Sequence, residues 1–236
     1  MQRYFAFNKN LDLDEKDIFH IYKVMRMKPG DKIEVIYNQM IHLCQIMEIS
    51  VNNVKLEILE QRESKNELPC QVTVAVSLVT EQKWDYILQK ATELGASEII
   101  PLELSRTLIK IDQNKYDKKI DRWLKICKEA TEQSHRTVIP NILNVMKISD
   151  LIKKDYDVKI VCSTGKAVLN LKQVLSKCEN YGRILVVIGP EGGLSQNEEE
   201  LLAQNGFIRT SLGYFILRVE TAPLFVLSAI NYELMR

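Results

Sequence analysis

The stretch RILVVIGPEGGLSQNEEELLAQNGF, Arg183 to Phe207, decides the fold of this chain. Ile184, Leu185, Val186, Val187 and Ile188 form an unbroken apolar run, the pattern of a strand covered on both faces. The run ends in a turn with Gly189, Gly192 and Gly193, where Pro190 fixes φ and removes a donor. Ser195 and Glu198 then have the S-x-x-E spacing of a capping box, which predicts a helix from Gln196. Asn205-Gly206 ends it. Strand, glycine turn and helix in this order read two ways: an ordinary βα connection, or a loop whose backbone approaches a ligand.

The surroundings restrict the choice. The chain has 236 residues, 46% hydrophobic, enough for one large domain or for a small and a medium one. No apolar run reaches bilayer length, and MQRYFAFNKN lacks the features of a secretory signal. Cys44, Cys70, Cys127, Cys162 and Cys178 are scattered, without a C-x-x-C pair, which predicts free thiols in a reducing cytoplasm. His20, His42 and His135 are isolated, so no metal centre is expected. A net charge of +1 neither demands nor excludes nucleic acid; any such role needs local basic patches.

Outward from the glycine turn, the chain divides by period. Met1 to about Leu59 reads as short strands around one helix, Asp14 to Met25, with Ile18, Ile21, Tyr22 and Met25 on one face. Turns at Lys28–Asp31, Asn38-Gln39 and Asn52-Asn53 separate three strands, predicting a small antiparallel barrel. The polar stretch Gln61 to Glu67, closed by Pro69, predicts the boundary between domains 1–68 and 71–236. From Gln71 onward strands and helices alternate: an apolar strand at Val72–Val79, a helix carrying Trp84, Ile87, Leu88, Ala91 and Leu94, a strand at Glu98–Leu104, and an amphipathic helix through Trp123 and Cys127. Strands at Lys159–Ser163, Ile184–Ile188 and Phe207–Leu212 and a last helix from Thr221 to Met235 complete an α/β domain with a mainly parallel sheet. Such folds hold ligands beyond the carboxyl ends of their strands.

A second glycine-bearing loop occupies such an end. In SLGYFILRVETAP, Ser211 to Pro223, Gly213 interrupts a strand and Thr221 stands as N-cap of the last helix. No G-x-G-x-x-G follows the first strand of the alternating segment and no G-x-x-x-x-G-K-[ST] occurs, which argues against a Rossmann dinucleotide site and a P-loop.

IGPEGGLSQNE with LGYFILRVETA resembles the paired C-terminal motifs of the SPOUT methyltransferases, and more narrowly the RsmE family. QRYF, HIYKVMRMKPGD, EQKWDYILQKATELGASEIIPLELSRT and EATEQSHRTVIP match that family's blocks in order, almost end to end. Two positions depart: His135 stands where members usually carry Gly or Ser, and Val219 where Thr is commoner. The resemblance implies a PUA-like barrel followed by a trefoil-knotted α/β domain, a cytoplasmic homodimer, and S-adenosylmethionine as cofactor. The implied reaction is methylation of ring nitrogen N3 of a uridine in bacterial small-subunit (16S) rRNA, free or in the assembled small subunit. By position, the cofactor loops are Cys162, Ser163 and Thr164; Ile188, Gly189, Pro190, Glu191, Gly192 and Gly193; and Ser211, Leu212, Gly213, Ile216 and Leu217.

Uridine N3 carries a proton, so its nucleophilic form is the anion, which cations near the carbonyl oxygens stabilise. Arg136 and Arg218 are the candidates; an arginine stays protonated, so its role is charge stabilisation or positioning. Glu132 either accepts the proton or orients Arg136, and the i,i+4 spacing of the two also reads as a plain surface ion pair. Glu191 reads as a cofactor contact, a contact to a partner chain's arginine, or a solvated turn residue. Glu220 is accounted for by the helix dipole. Arg3, Arg26, Lys28, Lys83 and Arg106 are the RNA-facing candidates, with Lys23 and Lys90 beside them. Tyr4 and Phe5 read as base-stacking or core residues. Lys118, Arg122 and Lys125 share a helix side, either a stripe for RNA phosphates or an ordinary charged exterior, in a stretch that also holds Asp112 and Lys115. Two rival functions stay open: a non-catalytic RNA-binding assembly factor, and a SPOUT enzyme acting on another RNA.

Overall fold

The computed structural model describes residues 1–111, 116–165, 169–177 and 182–235; Asp112, Lys115 and Cys178 lie outside them. The chain forms two compact units, Met1–Glu67 with Thr131–Val138, and Leu68–Ala130 with Ile139–Arg236. The break between the two units falls at Glu67/Leu68. The return of Thr131–Val138 to the N-terminal unit was not anticipated from the sequence.

In the N-terminal unit a four-stranded sheet runs β1 (Arg3–Phe5), β2 (Lys32–Tyr37), β3 (Met40–Ile49), β4 (Val54–Glu63). The β1–β2 pair is parallel and the others antiparallel, so the expected barrel is, among the described residues, an open path of four strands. Asn38 and Gln39 join β2 to β3 with φ of 49° and 63°, the left-handed pair that a two-residue hairpin turn requires. β4 reaches Glu63, so the first part of the expected linker is strand, with two register shifts against β3. The expected Asp14–Met25 helix is α-helical only over α1 (Glu15–Phe19), capped by Asp14 accepting from the Asp17 amide at 2.8 Å, and continues as a π-helical turn, His20–Val24. Tyr4, Ile18, Ile21, Ile33, Val35, Cys44 and Ile46 make its core.

The second unit is built on a wholly parallel sheet. Its strands, β5 (Gln71–Ser77), β6 (Glu98–Glu103), β7 (Asn141–Ile142), β9 (Val158–Cys162), β10 (Leu169–Asn170), β11 (Arg183–Ile188) and β12 (Ile208–Ser211), lie in the order β10-β12-β9-β11-β5-β6-β7, and β8 (Met146–Lys147) also pairs with β6. The apolar runs bury both faces. Val72, Val74, Val76, Ile184, Val186 and Ile188 point into one core, with α2 (Glu81–Glu93), α3 (Tyr116–Gln133), α5 (Leu171–Leu175) and α7 (Ala222–Leu234) contributing Trp84, Trp123, Val174 and Val226. Ala75, Leu185 and Val187 point into the other, against Leu151 of α4 (Ile148–Leu151) and Leu202 of α6 (Gln196–Gln204). This alternation across a pleat is why the run from Ile184 to Ile188 carries no polar residue. From β5 the chain first builds outward to β6 and β7, then returns to place β9, β11 and β12 on the other side. That reversal makes a switch point at the carboxyl ends of β5 and β11, where open parallel sheets leave a crevice.

Candidate active site of the parallel-sheet unit

Three loops leave the carboxyl ends of adjacent strands. The first follows Cys162 at the end of β9, the second follows Ile188 at the end of β11, and the third follows Ser211 at the end of β12. Because β12, β9 and β11 are neighbours, with Cys162 opposite Thr210 and Val161 opposite Val187, the loops emerge side by side. The Ser163 amide donates to the Thr210 carbonyl at 3.0 Å, tying the first loop to the third strand.

The second loop is a turn closed by the Gly193 amide donating to the Pro190 carbonyl at 2.8 Å, with Gly193 at φ +67°. A Cβ on Gly189 would stand 3.0 Å from the Leu194 nitrogen, so only glycine fits there without displacing backbone. Gly193 and, in the third loop, Gly213 (φ +122°) instead face open space, with nothing within 4 Å of where a Cβ would lie. Bare backbone next to free volume, at the ends of the two strands that flank β9, suits a flat heterocycle and a ribose bound through main-chain groups. The Ser211 hydroxyl hydrogen-bonds the Gly213 amide and carbonyl at 3.3 and 3.2 Å, closing the start of the third loop.

Polar side chains behind the loops hold them, and most of these contacts span long sequence separations. The predicted capping box forms: Ser195 Oγ accepts from the Glu198 amide, and the Ser195 amide donates to Glu198 Oε2 at 2.8 Å. Glu198 also accepts from the Ser105 amide at 2.7 Å, which anchors the loop after β6. Burial opposes this charge, but the hydrogen bonds from Ser105 and Ser195 keep the Glu198 carboxyl below its ordinary pKa. Arg106 donates to the Gly192 carbonyl at 2.7 Å and to the Leu194 carbonyl at 3.3 Å, so the residue expected to face RNA braces the glycine turn. Glu199 accepts from the Ser163 hydroxyl at 2.8 Å and fixes the first loop. Lys83, in the first turn of α2, lies 2.8 Å from Glu191 and 3.5 Å from Glu220. Glu191 thus pairs within its own chain. Apart from the capping box, none of these partners was legible from spacing, since each joins residues many positions apart.

The third loop continues through Tyr214, Phe215 and Ile216, all exposed, to half-buried Leu217 and exposed Arg218. Thr221 takes the N-cap position without the expected side-chain hydrogen bond; the Arg218 carbonyl accepts from both the Thr221 and Ala222 amides, so a backbone turn starts α7. Cys162 is half-buried, and burial pushes its thiol up to about 12, which keeps it protonated at neutral pH.

Several other candidates lie in the N-terminal unit. Arg136 is 4% exposed, and its Nε and Nη2 donate to Glu67 Oε2 at 3.0 and 2.8 Å. Glu67 Oε1 accepts from the Thr137 and Val138 amides at 2.8 and 3.1 Å. Arg3 is likewise buried, bonded to Glu34 and to the carbonyls of His135 and Arg136. Its guanidinium is consumed inside the unit and cannot meet RNA phosphate, which corrects the expectation for Arg3. Arg26 and Lys28 are exposed. Glu132 belongs to the same returning segment as Arg136. Tyr4 is core, hydrogen-bonded to His20 Nδ1 at 3.0 Å, rather than a stacking platform. In the other unit, Arg122 is engaged by Asp85 (2.7 and 2.8 Å) and Glu81 (2.6 Å), and Lys125 lies 3.6 Å from Glu129, which fits the charged-exterior alternative for this side of α3.

A family profile described as RNA methyltransferase domain matches residues 66–231, and one described as RNA methyltransferase PUA domain matches residues 13–59. Ribosomal RNA small subunit methyltransferase E of Bacillus subtilis (strain 168) is 36% identical over 99% of this chain and 97% of its own length. The putative methyltransferase Lpg2936 from Legionella pneumophila, solved in complex with the bound cofactor SAM, superposes with a TM-score of 0.89 at 26% identity, covering 98% of this chain and 97% of that one. Ribosomal RNA small subunit methyltransferase E from Neisseria gonorrhoeae, bound to S-adenosyl methionine, superposes with a TM-score of 0.86 at 27% identity over the same shares.

Proposed function

Because this chain belongs to the ribosomal RNA small subunit methyltransferase E family, we propose that it transfers a methyl group from S-adenosylmethionine to N3 of a uridine in small-subunit rRNA. The observation that carries the reading is the side-by-side emergence of the three loops at the carboxyl ends of β12, β9 and β11, with open space at Gly193 and Gly213. The donor supplies an electrophilic methyl group on a sulfonium. Its adenine and ribose are assigned to Cys162–Thr164, Ile188–Gly193 and Ser211–Leu217, mainly through backbone atoms.

The chain's own work is to align the ring nitrogen with that methyl group and to favour loss of the N3 proton. Arg218, exposed on the third loop, is assigned the developing negative charge on the uracil oxygens. Arg136, already engaged by Glu67, is assigned positioning of the Thr131–Val138 segment. Glu132 is assigned the proton; Glu132→Gln then loses turnover at all pH values, whereas a role in orienting Arg136 leaves partial turnover. Arg26 and Lys28 are assigned to RNA phosphates. The reading also includes a knotted path for α7, a homodimer, and action in the cytoplasm, where small subunits are assembled.

Incubating the protein with labelled S-adenosylmethionine and small subunits from a strain lacking it, followed by digestion and nucleoside mass spectrometry, tests the assignment. Label on N3-methyluridine is expected, and Arg218→Ala reduces it by at least about a hundredfold. Label on another base, or on a ribose, replaces the substrate assignment. No label together with tight RNA binding favours an assembly factor.

A further inference from the structure

We propose that Lys83 is a positioning residue of the methyl-donor site, clasping the second and third loops through Glu191 and Glu220. The inference rests on the donor reading above and deepens it. Lys83 sits in the first turn of α2, the helix that follows β5, the strand that borders β11 at the switch point. Its ammonium lies 2.8 Å from Glu191 Oε1 and 3.5 Å from Glu220 Oε2. Glu191 belongs to the glycine turn and Glu220 to the turn that starts α7, so one side chain spans both glycine-bearing loops.

The environment gives the clasp its effect. An exposed ion pair contributes little, and Glu191 alone, 55% exposed, would be of that kind. Glu220 is different: its side chain is 15% exposed, and Oε2 is buried without a hydrogen bond, so the Lys83 ammonium is its recorded charge partner. Removing the ammonium leaves a sequestered carboxylate uncompensated and close to a second one. Repulsion then drives the two loops apart. The hydrogen bond to Glu191 holds Lys83 protonated, above its ordinary pKa, and Lys83 in turn holds Glu191 below the usual carboxylate value. Arg106 grips the neighbouring Gly192 carbonyl and braces the second loop alone, whereas Lys83 reaches a carboxylate in each loop. The trio of two carboxylates and one ammonium carries net negative charge, which makes Lys83 a poor ligand for RNA phosphate and replaces that expectation.

Calorimetry on the full-length protein tests this with S-adenosylmethionine and S-adenosylhomocysteine as probes, alongside kinetics on small subunits. Lys83→Met is expected to weaken binding of both probes by about tenfold, a typical size for loss of preorganisation. The KM for S-adenosylmethionine rises by a similar factor while the KM for small subunits stays unchanged. Lys83→Arg, which keeps the charge and reach, retains binding within about threefold. Adding Glu191→Gln to Lys83→Met costs less than Glu191→Gln does alone. Should Lys83→Met fail to fold, Glu220→Gln in the otherwise wild-type chain removes the buried end of the same tie, and undiminished donor affinity there overturns the clasp. Normal donor affinity with weakened small-subunit binding in Lys83→Met also overturns it and makes Lys83 an RNA contact. A wild-type protein that binds neither probe removes the donor reading itself, a result separate from either of these.

Discussion

His135 shows how a single residue records a backbone constraint. Its φ of 59° is left-handed, a region that costs a side chain about 1–2 kcal/mol and glycine almost nothing. Its Nδ1 lies 3.9 Å from Glu34 Oε2, an ion pair only with the imidazole protonated. His135→Gly is therefore expected to leave the urea midpoint unchanged or raised, whereas β-branched His135→Val lowers stability by about 1–3 kcal/mol. Equal midpoints for the two variants would show that the position is not held left-handed. Glu34 itself is the electrostatic centre of the N-terminal unit. Burial raises its pKa, but the hydrogen bonds and charges of Arg3 and Arg62 more than offset that and hold it below the ordinary value. The carboxylate is thus favoured in the folded state. Its stabilisation is complete above the ordinary carboxylate range and is lost as the pH falls through the lower folded value. Glu34→Gln, which leaves buried Arg3 without its counter-ion, is expected to cost about 3–5 kcal/mol at pH 7 and to flatten the acid limb of stability. Urea midpoints measured between neutral and acidic pH check both; a variant as acid-sensitive as the wild type would move the effect to another carboxylate.

Elements were legible wherever periodicity and turn chemistry agreed. β11 and β5 could be read because strands buried on both faces must be apolar throughout, and α6 because Ser195 and Glu198 satisfy each other's backbone amides. The Asp14–Met25 helix was misread in form, since apolar spacing does not distinguish an α-helical turn from the π-helical turn at His20–Val24. The end of β4 was hidden by composition: GlnArgGlu reads as linker, yet Gln61, Arg62 and Glu63 pair with β3. The Asn38-Gln39 hairpin was legible as a turn but not in type, because Gln39 is an unusual occupant of a position at φ +63°. Gln39→Gly is accordingly expected to raise stability by up to about 1 kcal/mol and to keep the Tyr37–Met40 register. Thermal unfolding of the variant checks it, and a lowered transition would mean that the turn strain is already relieved by contacts of the Gln39 side chain.

At the scale of the whole molecule, apolar periodicity gave the order of strands and helices but not the return of Thr131–Val138 to the N-terminal unit. That return is held by Arg3 and Glu67, whose partners lie far away in sequence and follow no repeat. The same limit applies to association between chains, where the signal lies in what folding leaves uncovered. Ala222, Val226, Leu227 and Ile230 bury one side of α7, while Phe225, Tyr232 and Met235, spaced at seven and three residues, leave an apolar stripe on another. Tyr214, Phe215 and Ile216 stand almost fully exposed in the third loop. Other exposed apolar side chains are spread over the chain, but these two groups lie on a helix and a loop joined directly in sequence, and we propose them as the surface of the two-fold dimer. Phe215→Glu with Tyr232→Glu places charge on both parts of this surface without touching either core face. The wild-type chain is expected to sediment as a dimer at micromolar concentration and the double variant as a folded monomer, with unchanged far-ultraviolet circular dichroism. Because Phe215 lies beside Gly213 and Arg218 on the same loop, separation of the chains should also weaken S-adenosylmethionine binding. A monomeric wild type, or a variant that remains dimeric, would detach the exposed third loop from association and leave its aromatic residues to contact RNA.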